Sequence, residues 1–217
     1  MNTFRRWLNR IKFKLRGKNH IVGWNMKPDE VHAFFKEQGK TVLTFFGFSG
    51  MGYEDETEMF RIVREVLSEY SPEITIVNIG GTRSGIGAAY PLAKSLGFKT
   101  TGIASSEAID YPDEISEAVD HVCFVADKQW GGKLPDSEEL SPTSEAMVSC
   151  SDILVGIGGN DISRDEMLAG KERGKPVYFY TAEVDHAKAI RRAEHLEQPK
   201  PGSFWGSAHE VFTEKDN

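Results

Sequence analysis

Two glycine-rich turns, each closing a β-branched apolar run and opening a helical pattern, constrain this chain more than anything else in its sequence. The first is Ile76-Val77-Asn78-Ile79-Gly80-Gly81-Thr82-Arg83-Ser84-Gly85-Ile86-Gly87. The second is Ile153-Leu154-Val155-Gly156-Ile157-Gly158-Gly159-Asn160-Asp161. A strand buried on both faces reads as a continuous apolar run. Such a run followed by glycine and a helix is part of a βαβ unit, and a chain that repeats the unit folds into a parallel sheet covered by helices.

The repeat continues along the chain. Strands are predicted at 41–48, 73–79, 99–104, 119–126, 152–157 and 177–180, and helices at 28–37, 54–70, 85–96, 141–150, 165–173 and 183–197. In the second helix Met59, Ile62, Val63, Val66 and Leu67 share one face, which points inward. A length of 217 residues suits one such domain. The expected fold is α/β: a Rossmann-like doubly wound parallel sheet with helices on both faces, plus an N-terminal amphipathic basic helix. Residues 1–27 hold that helix and a linker, residues 28–198 the domain, and residues 199–217 an irregular tail. Residues 127–140, polar and turn-rich, read as a long surface loop.

The net charge is −7, so the body is not an electrostatic partner for nucleic acid. The charge is unevenly spread. Residues 1–18 carry seven basic side chains and no acid, which leaves −14 on the remainder. Over residues 3–16 a helix would place Phe4, Trp7, Leu8, Ile11 and Leu15 on one stripe, with basic residues elsewhere and Phe13 off the stripe. Such a helix packs on the domain or a second subunit, or docks on an anionic membrane or a protein partner. Cys123 and Cys150 have neither zinc nor redox spacing and read as free buried thiols. No apolar run is long enough to span a membrane, and charges interrupt any secretory signal, so the expected location is cytoplasmic.

Ligands of doubly wound sheets sit at the carboxyl ends of the strands, near the point where strand order reverses. Three loops should meet there. In the first, Gly47–Asp55, Ser49 offers a hydroxyl and Gly50 lets a ligand approach the backbone; the plainer reading is a strand-to-helix turn. In the second, Gly80, Gly81, Thr82, Ser84, Gly85 and Gly87 would hold phosphate through backbone N–H groups. There the alternative is capping by Thr82 or Ser84 with a solvated Arg83. The second loop is no dinucleotide fingerprint, since Tyr90 stands where the third small residue belongs. In the third, Gly158, Gly159 and Asn160 would close around a sugar. Asp161, Asp165 or Glu166 would act as base or charge stabiliser, unless Ser163 and Glu166 form a capping box at a helix start. The six histidines do not cluster, so no metal is expected. No cofactor is implied. Trp130 and Trp205 lie in polar loops, where each would stack on a base or seat its own loop.

The three loops together resemble the SLOG superfamily, the Rossmann-like group that includes the LOG phosphoribohydrolases, also described as lysine decarboxylase-like. The resemblance covers roughly residues 41–182. Gly47-Phe48-Ser49-Gly50-Met51-Gly52 is similar to the family's first loop. Gly80 to Gly87, followed by Ala93, Gly97 and Gly102-Ile103, is similar to its second. Met147, Ser151-Asp152 and Gly158-Gly159 follow the third stretch, and Lys175-Pro176-Val177 opens the next strand as the family's K-P-V does. The LOG hydrolases carry P-G-G-x-G-T-x-x-E; here Ile157 replaces the proline, Asp161 the third glycine and Ile162 the threonine. The acid at the family's offset is Asp165, with Glu166 one residue later. The family's arginine falls on Thr143, and no lysine or arginine occurs between Lys133 and Arg164. The resemblance implies a nucleotide-like small-molecule ligand and a homodimer.

Three functions are open to such a chain. It binds a nucleotide or phosphoribosyl-type ligand as a sensor or binding domain. It cleaves the base–ribose bond of a nucleoside monophosphate, with Asp165 or Glu166 at the oxocarbenium-like centre and Arg83 or Arg164 replacing the missing cation. Or it is an interaction module that docks on a membrane or partner through residues 3–16.

Overall fold

A computed structural model describes residues 10–15 and 18–213, with side chains from residue 23 onward. Eight strands form one sheet: β1 (Arg10–Leu15), β2 (Lys18–Met26), β3 (Thr41–Gly47), β4 (Thr75–Ile79), β5 (Lys99–Ser105), β6 (His121–Val125), β7 (Ile153–Ile157) and β8 (Val177–Tyr180). Their order is β1-β2-β6-β5-β4-β3-β7-β8. The pairing of β1 with β2 is antiparallel, and from β2 to β8 the seven strands run parallel. The helices are α1 (Pro28–Gln38), α2 (Glu56–Ser68), α3 (Ala89–Ser95), α4 (Pro142–Cys150), α5 (Asp161–Glu172), α6 (His186–His195) and α7 (Ser207–Thr213).

Strand alternation splits the core between two faces. Leu43 and Phe45 of β3 pack with Met59, Ile62, Val63, Val66 and Leu67 of α2 and with Ala89, Tyr90 and Ala93 of α3. Val42 and Phe46 face the other way, onto Val31, Phe34 and Phe35 of α1, Met147 of α4, Met167 of α5 and Ala208 of α7. Helix α2 starts at Glu56, two residues later than the pattern predicts, where Asp55 Oδ1 accepts the N–H of Glu58 at 2.8 Å, and the apolar stripe behind it is buried. Both cysteines are buried thiols outside any disulfide, and burial pushes the Cys150 thiol up to about 12.

The sheet is wider than the sequence pattern predicts. Residues 3–9 of the expected N-terminal helix lie outside the described residues, and Arg10–Leu15 form strand β1 rather than helix. Ile11-Lys12-Phe13-Lys14-Leu15 alternates apolar and basic at period two, which fits a strand better than a helical stripe that leaves Phe13 out. Its backbone groups pair with β2 from Arg10–Gly23 to Leu15–Lys18. The segment expected as linker therefore joins the sheet, because β2 lies parallel to β6 and Trp24 stacks on Phe124 with ring centroids 5.2 Å apart. The tail beyond residue 199 is not wholly irregular either. It carries α7, whose Phe212 stacks on Phe179 of β8 at 5.4 Å.

This order creates a reversal point. From β3 the chain steps outward through β4, β5 and β6, then returns to lay β7 on the other side of β3. The loops leaving β3 and β7 diverge to opposite faces of the sheet, and the gap between them opens a crevice at the strand carboxyl ends.

Candidate functional site

A cavity of about 800 Å³ occupies that crevice. Its floor is apolar, built from Phe45, Phe46, Ile79, Ile103 and Met147. Polar groups ring it: Ser49, Thr82, Ser105, Glu114, Thr143, Asn160, Asp161, Ser163, Glu166 and Arg192. Among the residues anticipated from sequence, Ser49, Gly50, Gly80, Thr82, Asn160 and Glu166 line it. Gly81, Arg83, Ser84, Gly85, Gly87, Gly158, Gly159 and Asp165 are not among its lining residues.

The first loop is held by Tyr53. Its hydroxyl donates to the Ile157 carbonyl at 2.9 Å, bridging β3 and β7. A Cβ on Gly47 would come within 2.0 Å of that hydroxyl oxygen, so glycine is required there. A turn from Ser49 C=O to Gly52 N–H (3.1 Å) then leaves Ser49 and Gly50 exposed at the rim.

The second loop is folded on itself and offers little to an anion. Gly81 N–H donates to the Tyr90 hydroxyl (3.1 Å), Arg83 N–H to the Glu114 carbonyl (2.8 Å), Ile86 N–H to the Phe48 carbonyl (2.8 Å) and Gly87 N–H to the Ser84 carbonyl (3.2 Å). Ser84 N–H faces Thr82 Oγ1 at 3.4 Å. Gly85, at φ +61, has no room for a side chain: its Cβ would lie 1.9 Å from the Phe48 carbonyl oxygen. A Cβ on Gly87 would lie 1.9 Å from the Thr82 carbonyl oxygen. These glycines let two loops touch, which is a packing requirement. Arg83 is exposed, and its guanidinium donates to the Asp113 carbonyl at 2.9 Å.

The third loop divides its expected roles. Gly158 N–H donates to the Tyr180 carbonyl (2.9 Å), and Gly159 accepts from Ala208 N–H (3.1 Å), so this glycine pair supports β8 and α7. Helix α5 begins at Asp161 rather than at Asp165, which places Ser163 and Glu166 inside it and removes the capping box. The N–H groups of Asp161, Ile162 and Ser163 precede the first intrahelical bond, from Arg164 N–H to the Asn160 carbonyl (2.9 Å), and the Asn160 side chain does not cap them. These residues face the cavity.

The adjacent acids Asp165 and Glu166 go separate ways, as neighbours on a helix must. Asp165 is paired with Arg164 at 2.8 Å, and Arg164 also holds Asp161 at 2.9 Å. Glu166 turns into the cavity and is buried. Its Oε1 accepts from Ser144 Oγ at 2.6 Å, and Ser144 Oγ in turn accepts from Gly132 N–H at 2.7 Å. Burial pushes the Glu166 carboxyl up to about 8; the bond from Ser144 opposes this and the charge of Asp165 reinforces it. At neutral pH the group is therefore mostly a neutral acid and a hydrogen-bond donor. Beside it on the wall is Thr143, whose buried hydroxyl has no hydrogen-bond partner among the described residues.

Sequence reasoning missed Arg192, the one cation lining the cavity among the described residues. No motif marks it, because it arrives on α6, far along the chain. It also missed Tyr111, which belongs to no glycine loop. No group of three or more His, Cys, Asp or Glu residues among those described could hold a metal. No helix there is long and apolar enough to cross a membrane.

No family model matches the sequence, and no curated protein is similar to it at a significant level. Among solved structures, the molybdenum cofactor carrier protein of Chlamydomonas reinhardtii is similar at 20% identity, over 73% of this chain and 98% of that one, with a TM-score of 0.47. The molybdenum cofactor binding protein of the phototrophic bacterium Rippkaea orientalis is similar at 16% identity, over 73% and 85%, also with a TM-score of 0.47. A third, TM1055, has 21% identity over 63% and 72%, with a TM-score of 0.46. At such identities a shared plan of strands and helices does not carry a ligand from one protein to another.

Proposed function

We propose that the protein binds a nucleotide or phosphoribosyl-type small molecule in this cavity, as a sensor or binding domain. The observation that carries the reading is the cavity's position at the strand-order reversal, with apolar Phe45, Phe46, Ile79, Ile103 and Met147 and the donors Ser49, Thr82 and Arg192 in one lining. The open N–H groups of α5, the Ser49 hydroxyl and Arg192 supply donors for an anionic group. Gly50, Gly80 and Thr82 allow backbone contact with a sugar, and Thr143 and protonated Glu166 reach the part of the ligand that is buried.

Turnover is the second reading, favoured by one feature: Glu166 is a neutral acid at pH 7, able to protonate a leaving base. Binding is preferred because, among the described residues, no lysine or arginine other than Arg192 lines the cavity that holds that acid. Thr143 stands where the resemblance places arginine, Arg83 is on the surface, and Arg164 is paired with two carboxylates.

Thermal unfolding of the full chain against nucleoside mono-, di- and triphosphates and ribose 5-phosphate, with free base measured in the same wells, separates the readings. A ligand at about 100 times its dissociation constant adds roughly 2.7 kcal/mol of stability. Stabilisation without base release is the expected result. Base release that disappears in Glu166→Gln would make the protein a hydrolase. No shift with any of these compounds would sink both.

A further inference from the structure

We infer that Tyr111 and Trp130 form a stacking corner at the mouth of the cavity that takes the planar heteroaromatic ring of the ligand. The inference rests on the small-molecule reading above and adds to it where the ring goes and which residues recognise it.

Both side chains line the cavity, and both remain more than half exposed, Tyr111 at 55% and Trp130 at 57%. Single exposed aromatics are ordinary on protein surfaces, but two in contact at a cavity rim make a shaped apolar feature. Their centroids are 5.7 Å apart and their planes meet at 53°. The pair is therefore an open angle rather than a closed stack. A flat ring laid on the free face of one meets the edge of the other, which satisfies the opposite electrostatic signs of ring face and ring edge.

The corner is held in place by its backbone. Trp130 projects from a loop pinned at both ends. Gln129 N–H and Thr143 N–H bond the two carboxylate oxygens of Asp127, each at 2.9 Å. Gly132 N–H bonds Ser144 Oγ, and Ser141 N–H bonds the Gly132 carbonyl at 2.7 Å. Tyr111 sits between two short 3-10 turns, Ser106–Asp110 and Pro112–Glu114. That stretch is tied to the second glycine loop through Arg83 N–H and the Thr82–Ile115 bridge. With the backbone pinned, only the two side chains' rotamers remain to be ordered on binding, and aromatic side chains have few. Trp205 has no such role: it stacks on His209 at 4.4 Å and is not part of the cavity lining.

Ser144 links the two functional ends. It receives a bond from the Trp130 loop at Gly132 and donates to Glu166, so the ring site and the buried acid share one hydroxyl.

The test uses the full chain with adenosine and guanosine 5′-monophosphates, the two free nucleosides, and ribose 5-phosphate. Binding is followed calorimetrically and by tryptophan fluorescence. The nucleotides should quench wild-type emission and bind more tightly than ribose 5-phosphate. Trp130→Phe should keep most of the affinity and lose the quench. Trp130→Ala and Tyr111→Leu should each weaken nucleotide binding by about tenfold and leave ribose 5-phosphate unchanged. Nucleotide binding that is equal in wild type and Trp130→Ala would overturn the corner while leaving the ligand reading intact. If no nucleotide binds but the free nucleosides quench Trp130, the corner stands and the phosphate reading falls. If none of the ring-bearing probes quenches, the corner is overturned.

Discussion

Glu166 is the residue whose environment differs most from what water would provide. Its carboxyl is raised from the ordinary 4.5 to about 8, so the folded protein holds a proton that the unfolded chain releases. The folded state is thus favoured by this group below the ordinary value, and the benefit is lost as pH rises from about 4.5 through about 8. Glu166→Gln, which mimics the neutral acid and keeps an oxygen for Ser144, should nearly match wild type at about pH 4, below the unfolded value, and exceed it at about pH 9. The gain should be on the order of a few kcal/mol at most, and urea titrations at the two pH values read it. A gain that is equal at both would mean the carboxylate is not desolvated. Gly85 carries the opposite lesson. Gly85→Ala should destabilise the ligand-free protein by roughly 2 kcal/mol or more, since it forces a Cβ against the Phe48 carbonyl at a left-handed φ. If the glycine served only an anion, the apo protein would unfold as wild type does.

At the scale of elements, what the sequence revealed follows from how local each signal is. The apolar face of α2 and the strands from β3 to β8 are visible because each apolar period lies within a few residues. The start of helix α5, at Asp161 rather than Asp165, is hidden in the sequence because two start signals compete: Asn160 is an ordinary cap residue, and Ser163 with Glu166 has the spacing of a capping box. Their spacing is also simply that of one helical turn, so the motif fits equally inside a helix. Helix α7 was missed because seven residues give almost two turns, too few for a period to show. It is stable only against α5 and β8, with Ala208 buried and Phe212 on Phe179. Ending the chain after Gly206 should lower the melting temperature by several degrees and weaken binding, because Gly159 loses its bond from Ala208 beside the cavity. Unchanged melting would show that α7 is an ornament.

For the whole molecule, the parallel α/β plan was legible because its code is repetition of one unit, and repetition survives errors in any single element. The candidate site was legible in part. Strands of a parallel sheet all present their carboxyl ends at one edge, so the three glycine loops had to gather there, and Ser49, Gly50, Gly80, Thr82, Asn160 and Glu166 do face the cavity. The order of the strands, the inclusion of β1 and β2, and the choice between Asp165 and Glu166 were not legible. Nor was the arrival of Arg192 and Tyr111 at the opening that Trp130, one of two tryptophans offered as stacking candidates, also lines. The sequence by itself determined the strands from β3 to β8, the helices α1 to α6 among them and which strand ends carry glycine, since these depend on period and backbone freedom over a few residues. Only the tertiary structure decided which glycines serve packing, which N–H groups remain open and which side chains share the cavity. Those outcomes depend on ångström-scale contacts between residues tens of positions apart, and no local pattern encodes such distances.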